Sequence, residues 1–215
     1  TESEEMDRVV PAIEAIRSRF DTCISVDTWR ASVAREAFQA GAVVGNDISG
    51  FADAGYLAEA AAAGASVVAT HIRLQPRVPD PEPRYADLVA DVEGFLLDRA
   101  RRAEAAGIAV EAVMLDAGLD LGKTAEQSLE LLRASGRLAA LGYPVLLSAS
   151  NKRFLGDVLG LEVTARGDAS LAAAALGIAR GCRVVRVHDV AATVKVRDVV
   201  EAILSAPRVE SEGGQ

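Results

Sequence analysis

The chain has 215 residues, enough for one sizeable domain or at most two small ones. Its composition is 50% hydrophobic and 25% charged with a formal net charge of −8, which excludes a basic surface for nucleic acid or anionic lipid. No uninterrupted apolar stretch has the length that a membrane span requires. The acidic first residues do not resemble a signal peptide, so we expect a cytoplasmic protein.

An amphipathic helix is predicted over residues 4–19, where Val9, Ile13 and Ile16 recur near the helical spacing. Pro11 is unfavourable inside a helix unless it lies in the first turn. We therefore expect this helix to begin later than the apolar pattern suggests.

Two cysteines, Cys23 and Cys182, are far apart and lack the spacing of metal ligands. Each precedes an apolar run that is typical of a strand. We therefore expect two buried thiols rather than a disulfide.

From residue 23 onward one unit repeats: a short apolar run, a polar residue at its end, and a helical pattern. The predicted strands cover residues 23–26, 42–44, 66–69, 112–115, 145–147 and 184–187. The predicted helices cover residues 31–39, 56–63, 85–106, 124–141, a segment after a longer loop, and 194–204. Glycines placed to end these helices are Gly41, Gly64, Gly107, Gly142 and Gly181.

These six strand–helix units predict an α/β fold whose strands are apolar on both faces, as buried parallel strands are. An open doubly wound sheet and part of an eight-stranded (β/α) barrel both suit the pattern. Polar residues at all six strand ends favour a barrel, because its strand tips share one mouth. Six strands do not close an ordinary barrel, so we expect an incomplete front, with a barrel domain over residues 1–207 and a flexible tail over 208–215.

Acceptor groups end three of the predicted strands: Asp27, Asn46 and Asp116. Such a set suits a flat heterocycle that carries several N–H donors. Other roles remain open, because Asp27, Asp47 and Asp116 can cap helices or turns and Asn46 can be a turn residue.

Positively charged or donor groups follow the last two strands: Lys152, Arg186 and His188. Barrel folds often bind phosphate at the loops after these strands. The two sets together indicate a ligand with a donor-rich ring at one end and phosphate at the other. Arg186 and His188 also have a structural alternative, a pairing with Asp189.

The sequence Gly122-Lys123-Thr124 resembles the end of a phosphate-binding P-loop. That motif needs a glycine five residues before Gly122, where Ala117 stands, so we reject a P-loop. We expect Lys123 to be a surface residue near the mouth and Thr124 to be a helix N-cap.

Five segments together resemble the dihydropteroate synthase family. They are I-S-V-D-T at 24–28, G-N-D-I-S-G at 45–50, D-A-G-L-D-L-G-K-T at 116–124, S-N-K at 150–152 and R-V-H-D-V at 186–190. The resemblance implies a TIM (β/α)8 barrel of which this chain supplies strands three to eight. It also implies a transferase that joins 6-hydroxymethyl-7,8-dihydropterin pyrophosphate to p-aminobenzoate and releases pyrophosphate, with Mg²⁺ as cofactor.

The resemblance also implies a role for each matching residue. The pterin ring would be held by Asp27, Asn46, Asp116 and Lys152, the pyrophosphate by Arg186 and His188, and Ser150 would lie near the aminobenzoate carboxylate. The groups closest to the chemistry would be Lys152, Arg186 and His188. A homodimer through late helices is implied as well, and the Ala-rich segment 171–179 offers a face of small residues.

Several positions depart from the family pattern. The glycine loop has Asp120 for a glycine and Leu121 for an aromatic residue, and Asn151 stands for an arginine. Ser148 replaces a glycine, and Thr70 begins the segment that usually reads Met-His-Met. The two front strands of the family, one of which carries a metal-binding Asn, are absent from this sequence.

Two alternatives to an active synthase follow. Similar departures mark a divergent actinomycete paralogue that binds pterin with little or no synthase activity. A methyltetrahydrofolate-binding methyltransferase domain shares the pterin-side Asp and Asn residues. The R-V-H-D-V segment argues against the methyltransferase, because such a site has no pyrophosphate to hold.

Overall fold

A computed structural model describes residues 1–207, in which six strands alternate with helices. The strands are β1 Ser25–Asp27, β2 Val44–Asp47, β3 Ser66–Thr70, β4 Val113–Asp116, β5 Leu146–Leu147 and β6 Val184–Val185. The helices are α1 Glu2–Arg17, α2 Ala31–Gln39, α3 Tyr56–Ala62, α4 Leu88–Ala105, α5 Ala125–Arg133, α6 Ser135–Ala139, α7 Arg153–Leu159, α8 Gly167–Ala179 and α9 Val190–Ser205.

All six strands are parallel and follow one another in chain order. Strands β1 to β4 form one ladder, β5 pairs with β6, and a bridge between Leu115 and Val145 joins the two groups. Within residues 1–207, β1 and β6 are not paired with each other, so the sheet stays open. The predicted α/β fold with an incomplete barrel is confirmed.

Helix α1 begins earlier than predicted. The Thr1 hydroxyl accepts the Glu4 backbone N–H and the Glu4 side chain reaches back to Thr1, which forms a capping box. Pro11 lies in the interior of α1 and is exposed to solvent. The expectation that this helix begins later than the apolar pattern suggests was wrong, because Pro11 is accommodated inside the helix on its exposed side.

Two other helix predictions need correction. The continuous helix over residues 124–141 is two helices, since the backbone at Ala134 leaves helical geometry (φ −83°, ψ 4°) between α5 and α6. The helix after β5 starts at Arg153, directly after Lys152, rather than after a longer loop. The glycines that were expected to end helices all follow them with positive φ values.

The hydrophobic core is one cluster that includes residues from the strands and from the helices packed on them. Its largest fully buried side chains include Tyr56, Phe51, Phe154 and Leu96. Within residues 1–207, no helix combines the length and the hydropathy that a membrane crossing needs.

Both cysteines are free thiols, as expected, but only Cys182 is buried. Cys23 is exposed, so the prediction of its burial was wrong. The reason is that Cys23 lies ahead of β1, where the chain has not yet joined the sheet.

The small residues of α8 pack inside the chain. Ala173, Ala174 and Gly177 are buried, and a Cβ atom at Gly177 would lie 2.2 Å from the Leu147 side chain. This face of the segment 171–179 is therefore occupied within the chain, whereas Ala172 and Leu176 of the same segment are exposed, and the dimer contact through this segment stays a prediction. The predicted tail at 208–215 lies outside the described residues.

Candidate active site

Four polar side chains at the strand ends share one face of the sheet. Asp27 pairs in register with Asn46, and Thr70 pairs with Asp116. Asn46 is opposite Val68, two residues before Thr70, and alternate residues of a strand point to the same side. This face therefore collects two carboxylates, an amide and a hydroxyl at the carboxyl ends of parallel strands, where such folds place their chemistry.

Asp116 is the buried centre of this group. Its carboxylate accepts the Gly118 backbone N–H at 2.8 Å, and its backbone carbonyl accepts the N–H of His71 at 2.9 Å. Burial raises the pKa of Asp116, and the positive charges of Lys152, Lys123 and Arg186 oppose that rise. Asp116 therefore does hold the following turn, as the structural alternative expected. A turn alone does not require a buried carboxylate surrounded by three cationic side chains, so the site also suits a ligand.

The loop after Asp116 folds tightly over β3. Gly118 has φ +65°, and a Cβ atom there would stand 2.0 Å from the His71 carbonyl oxygen. A larger residue would therefore push the loop off the strand. This close approach fixes the position of the loop relative to Asp116.

Lys152 brings a cation to the same carboxylate. It precedes α7, and its ammonium donates to the Leu119 carbonyl at 2.6 Å. Burial lowers the pKa of Lys152, while the carboxylates of Asp116 and Asp120 raise it. The amine of Lys152 is therefore held by the Leu119 carbonyl of the loop after β4, near the Asp116 carboxylate.

Asp27 and Asn46 form a second pair of acceptors. Desolvation by the surrounding protein raises the pKa of Asp27, while the charge of Arg186 and a hydrogen bond from Asn46 lower it. The Asn46 side-chain oxygen is buried and has no hydrogen-bond partner within residues 1–207. Since buried acceptors are usually paired, this oxygen is available to a donor on a ligand.

Arg186, His188 and Ser150 form the opposite side of the mouth. The Ser150 hydroxyl lies 2.8 Å from His188 Nδ1 and accepts the His188 backbone N–H at 3.2 Å. Arg186, the residue after β6, lies near enough to Asp27 and Asp116 for its charge to lower the pKa of both carboxylates. Arg186 and His188 are exposed, which leaves them open to an anion.

Asp189 and Asp47 have structural roles near the ends of strands β6 and β2. Asp189 caps α9 by accepting the Ala192 N–H at 2.9 Å and forms no ion pair with Arg186 or His188 in the described chain. Asp47 accepts two backbone N–H groups of the following turn, from Ser49 and Phe51. Asp47, the last residue of β2, therefore holds the following turn, whereas the Asn46 side chain takes no part in that turn.

Lys123 is buried, so the prediction of a surface residue was wrong. Its ammonium donates to the carbonyls of Gly118 and Leu121 at 2.9 and 3.0 Å and lies 2.9 Å from His71 Nδ1. Burial lowers the pKa of Lys123 to about 7, and burial with the Lys123 charge lowers the pKa of His71 to about 3. Thr124 is the predicted N-cap of α5, in a capping box with Gln127.

Comparison with known proteins agrees with this geometry. Residues 1–188 match the family model described as "Pterin binding enzyme". The dihydropteroate synthase of Escherichia coli is 37% identical over 203 residues, which cover 94% of this chain and 72% of that protein. The chain belongs to the dihydropteroate synthase family.

Two further dihydropteroate synthase relatives extend the comparison. The "Inactive dihydropteroate synthase 2" of Mycobacterium leprae is 42% identical over 205 residues, covering 93% of this chain and 70% of that protein. The Xanthomonas albilineans dihydropteroate synthase, solved in complex with 7,8-dihydropteroate, superposes with a TM-score of 0.88 at 38% identity. That match covers 95% of this chain and 76% of the other. The chain is thus an enzyme of the dihydropteroate synthase type, a transferase of folate biosynthesis.

The dihydropteroate synthase fold brings most of the predicted site residues together. Asp27, Asn46, Asp116 and Lys152 meet on one side of the mouth, and Arg186 faces them. The individual ligand roles of these residues stay predictions. The contact of Lys123 with His71 was not predicted from the sequence. The spacing of the loop residues does not show that the carbonyls of the loop point toward the buried Lys123 ammonium.

A magnesium site is not evident in these residues. Within residues 1–207 there is no group of three or more His, Cys, Asp or Glu side chains that could hold a metal ion.

Proposed function

We propose that the protein condenses 6-hydroxymethyl-7,8-dihydropterin pyrophosphate with p-aminobenzoate and releases pyrophosphate. The observation that carries this proposal is the carboxylate of Asp116, buried at the end of β4. The charges of Lys152 and Arg186 lie near enough to lower its pKa. Hydrogen-bond acceptors for a ring and cationic side chains for a leaving group thus lie in the same site. The dihydropteroate bound to the Xanthomonas albilineans synthase supports substrates of this class.

In this proposal, Asp27, Asn46 and Asp116 accept hydrogen bonds from the N–H groups of the pterin ring. The free Asn46 oxygen is already buried, so a ligand donor there would satisfy a group that otherwise costs about 1–3 kcal/mol. Lys152 would lie against the ring. The carboxylate of Asp116 would also favour positive charge that spreads over the ring as the bond to pyrophosphate breaks.

Arg186 and His188 would hold the pyrophosphate. Negative charge develops on the leaving group as the C–O bond breaks, and fixed cations or donors stabilise such charge. Ser150, hydrogen-bonded to His188, would lie where the aminobenzoate approaches, because it connects the loop before Lys152 with the end of β6. The amine of the aminobenzoate would then attack the carbon that has lost pyrophosphate.

The cofactor, the oligomeric state and the cellular location rest on the family resemblance alone. We propose that the protein uses Mg²⁺, forms a homodimer and is located in the cytoplasm. The pterin-binding paralogue without synthase activity is not favoured, although a relative named inactive is 42% identical. The methyltransferase alternative is set aside because the chain belongs to the synthase family.

The decisive experiment incubates the full-length protein with both substrates and Mg²⁺ and follows dihydropteroate by chromatography. Product formation with release of one pyrophosphate per dihydropteroate is expected. Calorimetric binding of the pterin pyrophosphate without product would instead support the inactive paralogue. A protein that does neither would overturn the proposed function.

A further inference from the structure

Asp120 has an unusual backbone conformation for its residue type. Its φ is +63°, in the left-handed region that side chains other than glycine seldom adopt. Asp and Asn tolerate this region better than other residues because their side chains can bond locally. The side chain of Asp120 must therefore gain contacts that offset this strain.

Those contacts join the loop to two helices. The Asp120 backbone N–H donates to the Ser128 hydroxyl of α5 at 3.1 Å, and that hydroxyl donates back to the Asp120 carboxylate at 3.4 Å. The other carboxylate oxygen accepts the Phe154 N–H, in the first turn of α7, at 3.3 Å. We call these hydrogen bonds between Asp120, Ser128 and Phe154 the tether. Ser128 is fully buried, so its part of the tether is shielded from solvent.

The same turn of α7 carries Lys152. Lys152 is the N-cap residue of α7 and cannot make a side-chain cap, because its ammonium has no acceptor for a backbone N–H; it donates to the Leu119 carbonyl instead. Asp120 thus supplies the N-terminal contact that Lys152 does not make. Residues 119 and 120 of the loop hold both the side chain of Lys152 and the helix that begins after it.

We propose that Asp120 is a positioning residue for Lys152, tying the 117–122 loop to the first turn of α7 so that the amine enters the pterin pocket at a fixed place. This inference rests on the proposed function, in which Lys152 contacts the pterin. Asp120 also supports the charge of Lys152. The carboxylates of Asp116 and Asp120 raise the pKa of that amine against burial, and the charge of Arg186 lowers it. The buried ammonium of Lys123 is a fourth charged group coupled to Lys152.

Two substitutions separate the tether from the charge. Asp120→Gly removes every side-chain contact and relieves the left-handed strain, whereas Asp120→Asn keeps the shape and removes the charge. Asp157→Asn is the matched control, because Asp157 lies in α7 and pairs only with exposed Arg153 at 3.2 Å. Pterin pyrophosphate binding is measured by calorimetry from pH 6 to 10 on the full-length protein.

Asp120→Gly is expected to bind the pterin pyrophosphate about tenfold more weakly at neutral pH, whereas Asp120→Asn, which keeps an acceptor for the Phe154 N–H, should bind it nearly as well as the unaltered protein. Neither variant should change the melting temperature by much. Their binding is also expected to decline at a lower alkaline pH than that of the unaltered protein, because Lys152 loses a carboxylate that favours its charged form. Asp157→Asn should change neither quantity. A lower melting temperature with unchanged affinity and pH profile would overturn the proposal.

A second measurement tests the tether apart from ligand binding. Hydrogen–deuterium exchange of the Phe154 amide and the 117–122 loop should be faster in Asp120→Gly and unchanged in Asp157→Asn. Unchanged exchange in Asp120→Gly would overturn the tether even if the protein binds pterin well. Absence of pterin binding by the unaltered protein, with faster exchange in the variant, would contradict the proposed function and leave the tether supported.

Discussion

At the scale of single residues, the buried carboxylate of Asp116 is the group that we expect pterin binding to depend on most. Asp116→Asn keeps an oxygen for the Gly118 N–H but removes the charge that Lys152 balances. A hydrogen bond to a charged group contributes roughly 1.5–3 kcal/mol, so loss of two of them is expected to bring pterin binding below detection by calorimetry. Asp189→Asn is the control, because Asn caps α9 equally well. Unchanged pterin affinity of Asp116→Asn would contradict its pterin role.

His71 gives a second residue-scale prediction, on stability. Its folded pKa of about 3 lies below the ordinary value of 6.5, so the unfolded chain binds the proton more readily. The neutral imidazole therefore contributes stability that is present above pH 6.5 and is lost as the pH falls toward 3.

His71→Asn removes this titration while leaving an oxygen near the Lys123 amine. Urea unfolding of both proteins should show a stability difference that shrinks as the pH falls from 7 to 4. Raised pKa values of buried carboxylates act in the opposite direction, so only the difference between the two proteins is informative. A difference that is constant with pH would contradict the assignment to His71.

At the scale of elements, caps decide where helices begin beside the mouth. Thr124→Ala removes the capping box of α5, which is expected to cost about 1 kcal/mol. For a chain of this size that corresponds to a fall of about 2–4 °C in melting temperature. Thr164→Ala, at an exposed position that caps no helix, should leave the melting temperature unchanged. Equal melting curves for the two variants would show that the box contributes nothing.

At the scale of the whole molecule, α9 presents an apolar surface. Val190, Val199, Ile203 and Leu204 are between 59% and 67% exposed, and Val199 and Ile203, four residues apart, lie on the same side of the helix. If the proposed homodimer forms through late helices, Ile203→Glu should halve the mass that light scattering gives for the full-length protein. Phe20→Glu, at an equally exposed apolar position after α1, should leave the mass unchanged. A monomeric unaltered protein at high concentration would refute the homodimer.

Much of the architecture was predictable from the sequence because it depends on local patterns. Buried parallel strands need short apolar runs, and the helices between them need amphipathic periods and caps, so the six units and the Thr124 cap were foreseen. Asp27, Asn46 and Asp116 could be selected because polar residues at strand ends share one edge of a parallel sheet. These features follow from neighbours along the chain.

The tertiary structure decided what depends on distant segments. Lys123 is buried because the loop folds onto His71, the residue after β3, and no spacing in the sequence encodes that approach. In the sequence, Asp120 is only a residue that stands where the family has a glycine. The packing of α5 and α7 against the loop provides the hydrogen-bond partners of its carboxylate. Asn151 likewise holds φ +58°, a conformation that suits Asn and strains Arg. The sequence by itself determined the elements and the chemistry at their ends, whereas burial, and with it the charge state of each group, was set by the folded chain as a whole.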